Sequence, residues 1–257
     1  MDRSTMLSRW VFVLAAALAG CLPSIAETRY SQSLNWAEGF TYEGPALPAL
    51  STGMVVAVMG DSITQFGGYI WNVDAAIRRL RSSLLMDKIV IAGRAGFKSS
   101  DLVESFPRLV EPHRPSIVVV MIGLNNADDR ASERINRTKL VDAFEDDLRR
   151  VVDLIRGIGA TPVFMTPTIW GEDPMTPTNI RIQFFSDAMK ELGVELNVGV
   201  IDVRSMFLRA ISAKPPDHRG NLLTTDGTHM NDAGNALLSV ALMRVLGFTD
   251  DEIRSLP

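Results

Sequence analysis

Acyl-transfer chemistry on serine needs a nucleophile, a base to take its proton, a group to hold that base, and donors for the oxyanion that forms. Ser62 stands in Gly60-Asp61-Ser62-Ile63-Thr64, a turn directly after the apolar run at 54–59 (MVVAVM). A serine there can expose its hydroxyl at a cleft, or simply cap the helix that follows. Of the three histidines, His113 lies in Pro112-His113-Arg114-Pro115 ahead of an apolar run, which puts it at the opposite end of a sheet. His218 lies in a polar loop (PPDHRG). His229 closes Asp226-Gly227-Thr228-His229. That spacing lets the carboxylate curl back onto one ring nitrogen and leaves the other free to accept a serine proton. The same four residues also fit an ordinary Asx turn beside a surface histidine. For the oxyanion, Gly96 offers a backbone N–H where a side chain would obstruct substrate, and Asn125 offers a side-chain amide.

These residues have to be delivered by a framework, and the sequence supplies one. Short apolar runs at 54–59, 88–92 (KIVIA), 116–122 (SIVVVMI), 161–165 (TPVFM) and, more weakly, 198–203 read as strands. Their nearly continuous apolar character predicts a parallel sheet covered on both faces. Between them, 69–85, 140–158, 180–196 and 233–246 carry apolar residues at spacings of three and four, which predicts amphipathic helices. Alternation of this kind predicts a doubly wound α/β domain with right-handed crossovers. Ligands bind beyond the carboxyl ends of such strands. The first three runs are followed there by Gly60-Asp61-Ser62, by Gly93-Arg94-Ala95-Gly96 and by Gly123-Leu124-Asn125-Asn126.

Composition sets the outer limits. With 46% hydrophobic and 22% charged residues, the 257-residue chain is that of a globular protein with a sizeable core. A net charge of −4 without a Lys/Arg cluster argues against a nucleic-acid partner. Arg3 and Arg9 precede an uncharged, apolar stretch at 10–26, the pattern of a secretory leader. Ser24-Ile25-Ala26 suits cleavage after Ala26, whereas Leu18-Ala19-Gly20-Cys21 resembles a bacterial lipobox, which would make Cys21 an acyl-bearing N-terminus anchored to a membrane. Cys21 is the only cysteine, so no internal disulfide is expected. Residues 27–53, with Pro45 and Pro48, read as an irregular tether or strap, and 54–257 as one domain. Asp128 and Asp129 are adjacent acids in a loop rather than a metal site.

The order Gly-Asp-Ser, a glycine turn, Gly-x-Asn and a C-terminal Asp-x-x-His resembles the four blocks of the SGNH hydrolase superfamily, the GDSL-like serine esterases and lipases. The resemblance spans about residues 54–247. It implies a flavodoxin-like three-layer α/β/α sandwich with a mostly parallel sheet of about five strands, and ester hydrolysis without cofactor or metal. It implies Ser62, His229 and Asp226 as catalytic residues, with Ser62, Gly96 and Asn125 supplying the oxyanion hole. Two positions depart from the family pattern: Asn126 stands where an aspartate is usual, and Phe97 follows Gly96 where an aspartate is common. An apolar Phe97 would line an acyl pocket. Trp170, in the segment 166–179 (TPTIWGEDPMTPTN), would stack on a sugar or acyl chain, or pack in the core. Export points to esters of envelope glycans or to lipids as substrates. The alternatives are an O-acyltransferase acting on envelope polysaccharide and a non-catalytic glycan-binding protein on the same fold.

Overall fold

A computed structural model describes residues 29–40, 42–84, 89–127 and 137–257. The leader, Cys21, Asp128 and Asp129 lie outside the described residues. The apolar runs form strands β1 (Val56–Gly60), β2 (Val90–Gly93), β3 (Ile117–Met121), β4 (Thr161–Met165) and β5 (Gly199–Ile201). All pair in parallel, in the order β2-β1-β3-β4-β5. Every residue of β1 and of β3 is buried, the consequence of helices covering both faces of the sheet.

The chain leaves β1 by α2 (Ser62–Phe66) and α3 (Gly68–Leu80) toward β2, then reverses through α4 (Ser99–Leu109) to β3. The sheet then grows outward through α5 (Leu124–Ala127), α6 (Arg137–Gly157) and α7 (Pro177–Leu196) to β4 and β5. After β5, α8 (Val203–Ser212) and α9 (Asp232–Val245) return to the layer of α3, and α10 (Asp250–Arg254) ends against α9. The reversal at β1 is a topological switch point, where diverging connections leave a crevice at the carboxyl edge. The turns after β1, β2 and β3 all open there.

Several boundaries differ from the sequence reading for identifiable reasons. The weak fifth run stops at Ile201 because the Asp202 side chain accepts from Ser205 N–H and starts α8 at Val203. Helix α3 ends at Leu80 instead of running to 85. Helix α4 was not expected, since Pro107 interrupts its pattern, but the proline sits near the C-terminal end of the helix. Its start is fixed instead by Asp101, which accepts from the Lys98 N–H at 2.7 Å. The segment read as irregular carries α1 (Ser31–Trp36), whose Leu34 and Trp36 are buried. Beyond it Glu43 makes an antiparallel bridge with Val200, so this strap covers part of the β5 edge.

Candidate active site

The start of α2 is pressed flat against the sheet. A Cβ on Gly60 would lie 2.4 Å from Thr64 Oγ1 and 2.5 Å from the Met121 carbonyl. One on Gly93 would lie 2.6 Å from the Gln65 backbone nitrogen. Only glycine fits at the ends of β1 and β2, and that close approach fixes where Ser62 leaves the sheet. Asp61 caps α2, its Oδ1 accepting from the Ile63 N–H at 3.0 Å. The cap is therefore the aspartate, and Ser62 occupies the first helical turn with its hydroxyl directed elsewhere.

That hydroxyl lies 3.0 Å from Nε2 of His229. On the far side of the ring, Nδ1 lies 2.7 Å from Asp226 Oδ2. The second oxygen, Oδ1, accepts from the backbone N–H groups of Thr228 (2.9 Å) and His229 (2.8 Å). Asp226 thus forms an Asx turn through one oxygen and meets the imidazole through the other. Its bond to the imidazole, then the two backbone donors, hold the carboxyl well below the usual aspartate range although the side chain is 55% exposed. His113 is exposed in a 3-10 turn that precedes β3, at the other end of the strand, and His218 is exposed with Nε2 3.3 Å from the Asn221 carbonyl.

The β2 turn is stapled in place from two sides. Gln65 accepts from the Ala95 N–H, and Asn125 Nδ2 donates to the Phe97 carbonyl at 3.0 Å. One of the two Asn125 amide hydrogens is therefore committed to orientation, and the other has no acceptor among the described residues. The N–H groups of Ser62 and Gly96 have no acceptor among the described residues. Gly96 has φ +80°, a backbone angle that favours glycine, and a Cβ there would point into open space, with no atom of this chain within 4 Å. Asn126, in place of the usual aspartate, accepts from Ser99 N–H and donates to Ser99 Oγ, which in turn donates to Asp147. An amide does the clamping a carboxylate would do, with Asp147 supplying the charge. Phe97 is half-buried beside Gly96; Trp170 is half-buried and packed against the core.

Four residues that hold the histidine loop, directly or through the segment beside it, carry no motif. Glu172 accepts from the backbone N–H groups of Leu222 (2.5 Å), Leu223 (2.7 Å) and Thr224 (2.9 Å) and from Thr224 Oγ1 (3.0 Å). The adjacent Gly171 N–H donates to the Gly227 carbonyl at 2.5 Å. Buried Asn179 holds this 170–173 segment by donating to the carbonyls of Trp170 and Asp173 while accepting from the Trp170 N–H. Buried Arg204 donates to the carbonyls of Thr168 and Asn179 and to Gln183; desolvation lowers its pKa to about 10, so it stays charged at neutral pH. None of these partners is close in sequence to the histidine loop, so only the fold reveals them. A separate groove of about 580 Å³ beside β5, lined by Phe40, Glu43, Lys190 and Arg209 among others, contains none of the residues assembled around Ser62.

Two measurements test this geometry. Glu172→Ala leaves three backbone donors without their acceptor and frees the loop that carries Asp226 and His229. Turnover of p-nitrophenyl acetate should fall roughly 10- to 100-fold, with KM changed far less, because misplacing a base by about 1 Å costs that much. A lowered melting temperature with unchanged kcat would reduce Glu172 to a stabilising contact.

The second concerns Asp61, which burial pushes up to about 6. The Ile63 N–H and the His229 charge oppose that rise. An aspartate in the unfolded chain titrates near 3.9, so the folded protein holds this proton more tightly. The contribution to stability is complete below about pH 4 and is lost as the pH rises through 6, a change of about 3 kcal/mol. Asp61→Asn keeps an oxygen for the Ile63 N–H and removes the titration. Its melting temperature should exceed that of the wild type at about pH 8, with the gap closing toward about pH 4. A pH-independent gap would contradict the assignment.

The chain matches the model of the GDSL-like Lipase/Acylhydrolase family over residues 58–237, more than two thirds of its length. A GDSL esterase/lipase of Arabidopsis thaliana is 24% identical over 221 residues, covering 79% of this chain and 80% of that protein. Among solved structures, an acetylxylan esterase from Geobacillus stearothermophilus superposes with a TM-score of 0.68 at 22% identity, covering 79% of this chain and 98% of its own. An alpha/beta hydrolase enzyme from the metagenome of Lake Arreo, Spain, gives 0.66 at 20% identity, covering 77% and 96%. The five-stranded parallel sheet and its flanking helices are those of the SGNH fold. With the matched region running from the first strand into the last long helix, this chain belongs to the GDSL-like lipase/acylhydrolase family and is an ester hydrolase.

Proposed function

We propose that this protein removes small acyl groups, acetyl groups of glycans above all, by forming an acyl-enzyme on Ser62. The observation that carries this reading is the unbroken relay from Asp226 through His229 to Ser62, with distances of 2.7 and 3.0 Å. Support for the acetyl group comes from the structural relative that is an acetylxylan esterase. The solved chains of that enzyme include catalytic mutants at a serine, an aspartate and a histidine, the last two three positions apart. Asp226 and His229 have the same spacing.

In this mechanism His229 Nε2 accepts the Ser62 proton as Oγ attacks the ester carbonyl. The oxyanion is met by the free N–H groups of Ser62 and Gly96 and by the uncommitted Asn125 amide hydrogen. Protonated His229 gives its proton to the departing alcohol oxygen, and the acyl group remains on Oγ. Water then attacks the acyl-serine, losing a proton to His229, which returns it to Ser62 as the acid leaves. Asp226 keeps the imidazole oriented and offsets its charge in both halves of the cycle. Phe97, next to Gly96, is assigned to the acyl side, and Trp170 to contact with the acyl chain or the sugar.

Ser62→Ala should abolish hydrolysis of p-nitrophenyl acetate while leaving the melting curve intact, and Asn125→Ala should lower kcat roughly 10²- to 10³-fold. A Ser62→Ala protein of undiminished activity would remove the central residue of this reading. Acetyl transfer to an added glycan in preference to water would make the enzyme an acyltransferase.

We propose further that the protein is exported and anchored through acylated Cys21, on the strength of the basic start, apolar stretch and lipobox-like sequence at 1–26. Intact mass of protein recovered from the producing cell tests this. A diacylated species starting at Cys21 is expected. A species starting at Glu27 would retain export without the anchor, and one retaining Met1 would remove both.

A further inference from the structure

Two of the large side chains most exposed to solvent flank one turn. Phe66, the last residue of α2, is 61% exposed, and Trp71, in the first turns of α3, is 60% exposed. Between them Gly67 ends one helix and begins the next with φ +67°. The Trp71 indole nitrogen lies 3.2 Å from where a Cβ on Gly67 would sit, and Ile91 Cδ1 closes the other side at 2.9 Å. The turn is therefore pinned, with the indole lying across it. Two rigid, water-exposed rings together carry a desolvation gain that isolated surface aromatics do not.

Their position relative to the chemistry decides what they meet. The Phe66 ring packs edge-on against the His229 imidazole, with centroids 4.9 Å apart and planes at 68°. In the mechanism proposed above, His229 delivers its proton to the leaving alcohol, whereas the acyl oxygen points to Gly96 and Asn125. A group beside the imidazole therefore lies on the alcohol side of the scissile bond. The surface is open rather than enclosed, which suits a ring with one apolar face and hydroxyls at its rim better than an alkyl chain needing burial on all sides. The Trp71 indole N–H has no acceptor among the described residues and is free to donate to a hydroxyl.

We infer that Phe66 and Trp71 form the subsite for the leaving alcohol and that it takes a pyranose, stacked by its C–H face on the exposed rings. The inference rests on the ester-hydrolase reading and adds the side of the bond on which specificity is set. Phe66 touches the base, so Trp71 is the residue to vary.

The test measures acetate release by wild type, Trp71→Ala and Trp71→Phe from an acetylated methyl xylopyranoside and from ethyl acetate, which lacks a ring. Trp71→Ala should raise KM for the xyloside about tenfold, the size of an aromatic contact. It should leave ethyl acetate hydrolysis within about twofold, and Trp71→Phe should recover part of the loss. Equal losses on both substrates, or none on either, would overturn the subsite. So would an altered preference between ethyl butyrate and ethyl acetate, which would place the ring on the acyl side. A wild type that cleaves ethyl acetate but no sugar acetate sinks this inference and leaves the ester hydrolase standing; one that cleaves neither takes both down.

Discussion

A hydroxyl and a ring nitrogen 167 residues apart in the chain must be held 3.0 Å from each other, and most of the local structure around them follows from that requirement. The hydroxyl comes off a strand that admits no side chain at its last residue, so α2 begins in contact with β1 and β2. The imidazole comes from a loop between α8 and α9, on the other side of the molecule in sequence terms. Leu222 and Leu223 bury that loop's start in the core, and the polar stretch that follows is held by hydrogen bonds. Glu172 and Gly171 bond to the loop from the segment after β4, and buried Asn179 and Arg204 hold that segment in turn.

Two aspartates near Ser62 and His229 show how environment separates the behaviour of identical side chains. Asp226 is largely exposed and bonded through both oxygens, so its charge is stabilised and available to the imidazole. Asp61 is almost fully buried, caps a helix of five residues, and resists ionisation until about pH 6. The first is a polar group satisfied at the surface. The second accepts a desolvation penalty in order to fix the backbone of Ser62.

The same logic explains which departures from family pattern the fold tolerates. Asn126 keeps the two contacts to Ser99 that hold the start of α4 because an amide both donates and accepts, and Asp147 adds charge one step further out. Phe97 occupies its place through its backbone carbonyl, which orients Asn125, so its side chain is free to be apolar. On the opposite flank, Phe66 shields one edge of the imidazole while remaining mostly in water.

The sequence by itself determined the periodicities and the order of the candidate site residues. Alternating apolar runs and amphipathic stretches specify a parallel sheet because burial on both faces demands unbroken strands, and ligands bind at the carboxyl ends of such sheets. Ser62, Gly96, Asn125, Asp226 and His229 were legible for that reason: each sits where a short local pattern meets a turn. Helix α4 was hidden by Pro107 and α1 by its brevity, since neither contains enough clean periods to read. What only the tertiary structure decided is the set of groups whose partners are distant. Glu172 meets Thr224 across 52 residues, and Arg204 meets Thr168 across 36. No spacing rule encodes contacts made across loops and layers; they exist only once the sheet has set the distance between them. The structure also added a second reason for glycine at position 96, a positive backbone angle that other residues rarely adopt.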